Sequence, residues 1–102
     1  MRYLNFKKEK KMKVENMKSD RGNSVPNQFI IYSDDGIYFQ SYNSIICKRT
    51  ENKVFLDSYY WDYSNTTAKY RRDFLNGEGV EATRKKIKSG EYVLTDLNKG
   101  SV

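Results

Sequence analysis

The sequence contains no histidine, one cysteine and one proline, and each shortage removes a class of chemistry. Without imidazole the chain lacks the usual general base at neutral pH and the commonest nitrogen ligand of zinc, so His-dependent triads and His-containing metal sites are excluded. A lone Cys47 can form neither a disulfide within the chain nor a multi-thiolate zinc site. It follows Ile45 and Ile46 in a β-branched run, and so reads as a small core residue rather than a nucleophile. No apolar run approaches the ~20 residues of a membrane-spanning helix, and the lysine-rich start lacks the apolar segment of a signal peptide. The expectation is a soluble, cytoplasmic protein with no cofactor, no bound metal and no membrane partner.

Carboxylates are plentiful, but no spacing among them fixes an acid–base pair across a cleft. Asp34-Asp35-Gly36 reads as a hairpin turn, because Asp tolerates left-handed backbone and Gly removes the steric penalty. Gly77-Glu78-Gly79 has neither the spacing nor the Lys-Ser/Thr ending of a phosphate loop. The chain is therefore expected not to be an enzyme.

The 102 residues suit one domain, and an aromatic content of 15% is too high for a wholly disordered chain. Lys and Arg outnumber Asp and Glu by 19 to 13, a net charge of +6. Most of that excess sits at the start, where Arg2, Lys7, Lys8, Lys10, Lys11, Lys13, Lys18 and Arg21 face only Glu9, Glu15 and Asp20. Apolar residues there follow no sustained helical stripe. The prediction is a basic flexible tail over residues 1–25, ending in a loop over 20–26. A single domain over 26–98 and a frayed end over 99–102 follow.

Within the domain, β-branched and aromatic runs at 28–33 and 37–40 flank the Asp34-Asp35-Gly36 turn and predict a hairpin. Runs at 44–49 and 53–58 flank Thr50-Glu51-Asn52 and extend the meander to four strands. The period then changes. Ser64 is a candidate N-cap for a helix over about 65–75 that ends at Asn76-Gly77, and a second helix over about 79–89 ends at Gly90. Residues 91–97 return as a strand. The fold class is α+β, a mostly antiparallel sheet of four to five strands with one or two helices packed on one face.

Three features offer a binding function. The block Tyr59-Tyr60-Trp61-Asp62-Tyr63 reads as a recognition patch, since Tyr and Trp give rigid contact area at little entropic cost, or equally as the corner that anchors a helix to the sheet. Lys69, Arg71, Arg72, Arg84, Lys85, Lys86 and Lys88 outnumber Asp73, Glu78 and Glu81, so two consecutive helices would present a cationic surface to phosphates, or simply a solvated outer face. Tyr38, Phe39 and Tyr42 alternate with polar residues as a stacking platform would, and as any half-buried strand does. Exposed strand edges leave a homodimer open.

Phe39-Gln40-Ser41-Tyr42-Asn43-Ser44-Ile45-Ile46 and Val54-Phe55-Leu56-Asp57 belong to a pattern that continues with Trp61-Asp62-Tyr63-Ser64-Asn65-Thr66-Thr67 and the helix after it. This pattern resembles a small uncharacterised domain of phages, plasmids and prophages of Gram-positive bacteria, over about residues 28–97. The Tyr-Ser-x-Thr-Thr block is its most specific part. The resemblance implies a non-enzymatic protein of a mobile element, most simply an anti-CRISPR-type inhibitor acting on a host defence nuclease, its guide RNA or its target DNA. A direct nucleic-acid-binding regulator of the element's own genes is the alternative. On either reading the contacts fall on the helix cations and on Tyr59, Tyr60 and Tyr63.

Overall fold

Short turns decide the topology. In the computed structural model, which describes residues 12–99, five strands follow one another as β1 (Lys13–Lys18), β2 (Ser24–Ser33), β3 (Gly36–Ser41), β4 (Ser44–Arg49) and β5 (Val54–Asp57). Each is antiparallel to the next. Helices α1 (Asn65–Phe74) and α2 (Val80–Ser89) then carry the chain back, so that β6 (Tyr92–Thr95) lies parallel to β5 at the far edge. The class is α+β with a mostly antiparallel sheet, as the residue pattern indicates, although the sheet has six strands among the described residues. Among the described residues no helix is long and apolar enough to cross a membrane.

The additional strand is β1, and it corrects the predicted tail. Glu15 lies opposite Ile30 and Asn16 opposite Phe29, and Met17 is buried in the core. Every other side chain of β1 is exposed. This edge strand is held by its backbone ladder rather than by an apolar face, and so leaves no periodic signal. The loop expected over residues 20–26 is shorter than predicted. Its residues divide between a turn, closed by Gly22 N–H donating to Ser19 O at 2.8 Å, and the start of β2. Pro26 is tolerated there because the ladder with β3 begins only at Gln28. Residues 1–11 of the predicted tail and 100–102 of the predicted frayed end lie outside the described residues.

The remaining punctuation is as the sequence reads. Asp34 and Asp35 form a two-residue turn between the paired Ser33 and Gly36. Gly36 is required by close approach as well as by its φ of 148°, since a Cβ there would lie 2.8 Å from Arg49 O. Ser64 Oγ accepts the Thr67 N–H at 3.1 Å and so caps α1. Asn76 and Gly77 end α1 in the left-handed region, as Gly90 ends α2.

The core lies between the sheet and the two helices. Register alternation aims Phe39, Cys47 and Leu56 at the helices, and all three are fully buried at 0% exposure. A shift in the β3–β4 ladder leaves Ile46 without a partner residue, and this bulge lets Ile46 and Cys47 both enter the core although they are adjacent. Tyr70 and Phe74 of α1 and its C-cap Leu75 close over them, the Phe39 and Phe74 rings meeting at 6.0 Å. Each large side chain buried this way contributes about 1.5–3 kcal/mol. Burial also pushes the Cys47 thiol well above its ordinary pKa, consistent with a packing role.

At the α2 end, the Tyr92 hydroxyl donates to Glu78 Oε1 at 2.6 Å, and Lys86 Nζ pairs with Glu78 Oε2 at 3.1 Å. Burial, aided by Glu78, pushes the Tyr92 phenol up to about 12 from an ordinary value of 10.0. The raised pKa stabilises the fold at pH values below 10, and that contribution falls away as the pH rises from 10 towards 12. Tyr92→Phe should therefore reduce the alkaline loss of stability seen in denaturant titrations across that window. An unchanged pH profile would assign the loss to other groups.

Among the described residues, the opposite face of the sheet carries no helix. Alternation sets Phe29, Ile31, Tyr38, Ile45, Phe55 and Val93 on it, all half-buried by their neighbours. Lys48 reaches over two of these rings, 5.3 Å from Tyr38 and 5.6 Å from Phe55. Its ammonium also pairs with Asp35 at 3.4 Å.

Candidate recognition site

The tyrosine corner is built from one buried carboxylate at the end of β5. Asp57 is 1% exposed, and its Oδ2 accepts the backbone N–H groups of Tyr59 at 3.0 Å and Tyr60 at 2.8 Å. Its Oδ1 accepts from Leu97 N at 2.7 Å and from Asn98 Nδ2 at 2.9 Å. Asn98 in turn clamps Ile45, accepting its N–H at 2.8 Å and donating to its carbonyl at 3.0 Å. The carboxylate thus ties the corner after β5 to the segment after β6 and, through Asn98, to β4. It fixes where the following rings stand.

Those rings cluster. Tyr60 lies edge-on to Tyr59 with centroids 4.7 Å apart and to Tyr63 at 5.3 Å, while Tyr59 and Tyr63 are 6.3 Å apart. Tyr60 is half-buried against the core, whereas Tyr59 and Tyr63 are 72% and 63% exposed. The three tyrosines singled out in the sequence are therefore brought together. Tyr42, read there as part of a strand-borne platform with Tyr38 and Phe39, is separated from both. Phe39 is core, Tyr38 is on the helix-free face, and Tyr42 is in the β3–β4 turn. Across a cleft of about 400 Å³, Tyr42 faces the corner formed by Tyr60, Tyr63, Ser64 and Thr67.

The cations fare differently from the sequence expectation. Arg71, assigned to the outer surface, is 1% exposed. Its Nη1 donates to the Trp61 carbonyl and lies 3.6 Å from Asp62 Oδ1, and its guanidinium sits 5.1 Å from the Trp61 ring centroid. A helix stripe that turns Thr67, Tyr70, Arg71 and Phe74 inward leaves Arg71 no route to solvent. Burial lowers its pKa, opposed chiefly by Asp62. Arg84 also engages Asp62, at 2.9 Å, and approaches Glu81 at 3.7 Å, while Lys86 is held by Glu78. Among the described residues no carboxylate pairs with Lys69, Arg72, Lys85 or Lys88. Those four side chains are exposed and remain the cations available to a partner.

The architecture defines a small α+β domain with one open sheet, its tyrosine cluster gathered where the sheet hands over to the helices. Residues 12–90 match a family of unknown function (DUF8033), and the chain belongs to that family. No curated protein matches the chain. No solved structure matches it either.

Proposed function

We propose that the protein is a non-enzymatic nucleic-acid-binding module that takes up single strands. Bases lie against the tyrosine corner, and phosphates lie along Lys69, Arg72, Lys85 and Lys88 on the outer surfaces of α1 and α2. The observation that carries this reading is the outward display of Tyr42, Tyr59 and Tyr63, which are 57%, 72% and 63% exposed on a frame pinned by buried hydrogen bonds. A tyrosine face open to solvent stacks any base, contributing about 1–3 kcal/mol. Duplex offers fewer unstacked bases and should bind less well.

The helix-free sheet face is a poorer candidate for the same ligand. Its central cation, Lys48, is already satisfied by Asp35, and Asp34 lies beside that residue in the same turn, where it would repel phosphate.

Anisotropy of a labelled single-stranded oligonucleotide across a salt series provides the test. Binding should weaken with log salt at a slope of about −0.7 for each phosphate neutralised. Lys85→Glu with Lys88→Glu should flatten that slope without unfolding the protein. Absence of binding at low salt would reject the reading. Binding to an assembled nuclease–guide complex but to no naked strand would replace it with the inhibitor that the resemblance implies.

A further inference from the structure

The cleft beneath Tyr42 carries more chemistry than a stacking surface needs. Its volume of about 400 Å³ suits a small polar ligand. Its floor is a chain of hydroxyls. Ser64 Oγ donates to Thr67 Oγ1 at 3.1 Å, and Thr67 Oγ1 meets Ser41 Oγ at 3.2 Å. Because Thr67 receives the Ser64 proton, its own proton can go to Ser41, leaving the Ser41 proton for a ligand. Asn43 adds an amide at the rim, and among the described residues no charged side chain lines the cleft.

The mouth is strained. Tyr42 has a φ of 54°, in the left-handed region that glycine or asparagine occupies at lower cost. A side chain held there is under backbone strain. The fold keeps a half-exposed ring at this position, opposite Tyr60 and Tyr63, instead of the cheaper residue.

We infer that this cleft is a nucleoside pocket, which holds one unstacked nucleoside of the bound strand. The base lies against the tyrosine rings, and its edge and the ribose hydroxyls meet the Ser41 hydroxyl and the Asn43 amide. Neutral walls leave the phosphate outside. The inference rests on the single-strand reading and names the part of the ligand that this cleft takes.

Saturation-transfer NMR and titration with free adenosine, uridine and their monophosphates test it on the full chain. Both nucleosides should receive saturation, and each monophosphate should bind within about threefold of its nucleoside, since a cation in the site would add tenfold or more. Tyr42→Gly relieves the backbone strain, so it should keep or raise the melting temperature while weakening nucleoside binding by at least about tenfold. No saturation transfer, a monophosphate gain beyond tenfold, or unchanged affinity in Tyr42→Gly would overturn the pocket. So would a methyl pyranoside binding as well as adenosine. If any of these occurs while oligonucleotides still bind, the pocket falls and the single-strand reading stands. If oligonucleotides fail as well, both fall.

Discussion

Asp57→Ala is expected to lower the stability of the domain by about 3–5 kcal/mol, the largest effect of any single substitution outside the apolar core. Three backbone N–H groups, from Tyr59, Tyr60 and Leu97, would lose their acceptor at once, together with the Asn98 amide. A buried donor without a partner costs its full desolvation, whereas a satisfied one contributes little net. Thermal melting should register the change as a drop of roughly 4–8 °C per kcal/mol. Asp57→Asn should lie between the two, because an amide keeps one acceptor oxygen and loses the other. A melting temperature within a few degrees of the native one would mean that the corner and the segment after β6 are not held by this carboxylate.

Arg71 and Arg72 are neighbours in sequence and opposite in consequence. Arg71→Ala should cost about 3 kcal/mol, because it empties a fully buried site and removes the cation beside Trp61 and the donor to its carbonyl. Arg71→Lys should recover little, since an ammonium cannot reproduce the planar fork. Arg72→Ala should leave stability within about 0.5 kcal/mol of native. It should also reduce the salt slope of single-strand binding by about 0.7, one phosphate contact. Melting and anisotropy on the same pair of variants separate the two roles, and equal destabilisation by both would show that Arg71 is not the buried member.

Turn and cap chemistry was legible because it is local. The Asp34-Asp35 turn, the Ser64 cap and the Gly90 terminus each depend on backbone needs that a few adjacent residues express. Cys47 was legible as core from the β-branched run before it, whereas Phe39, read with Tyr38 and Tyr42, gave no sign of which face it takes. β1 was hidden because Lys13, Glu15 and Asn16 face solvent and only Met17 enters the core. The burial of Arg71 was hidden for another reason. Its acceptor is the Trp61 carbonyl, which becomes available only when the corner folds back over α1. The tyrosine corner was visible as a run of rings, but its cleft was not, since Ser41 and Thr67 meet across 26 residues.

Among the described residues β6 is the last strand of the sheet and its only parallel one, and it pairs with β5 across the whole helical segment. During synthesis the first five strands can zip together hairpin by hairpin as they leave the ribosome, each closing a short loop at small entropic cost. The interior stays unsealed until residues 92–98 arrive, because Tyr92 completes the wall beside Val54 and Asp57 waits for Leu97 and Asn98. The nascent chain therefore carries a half-finished apolar sheet until residues 92–98 emerge, and becomes a committed native molecule only then.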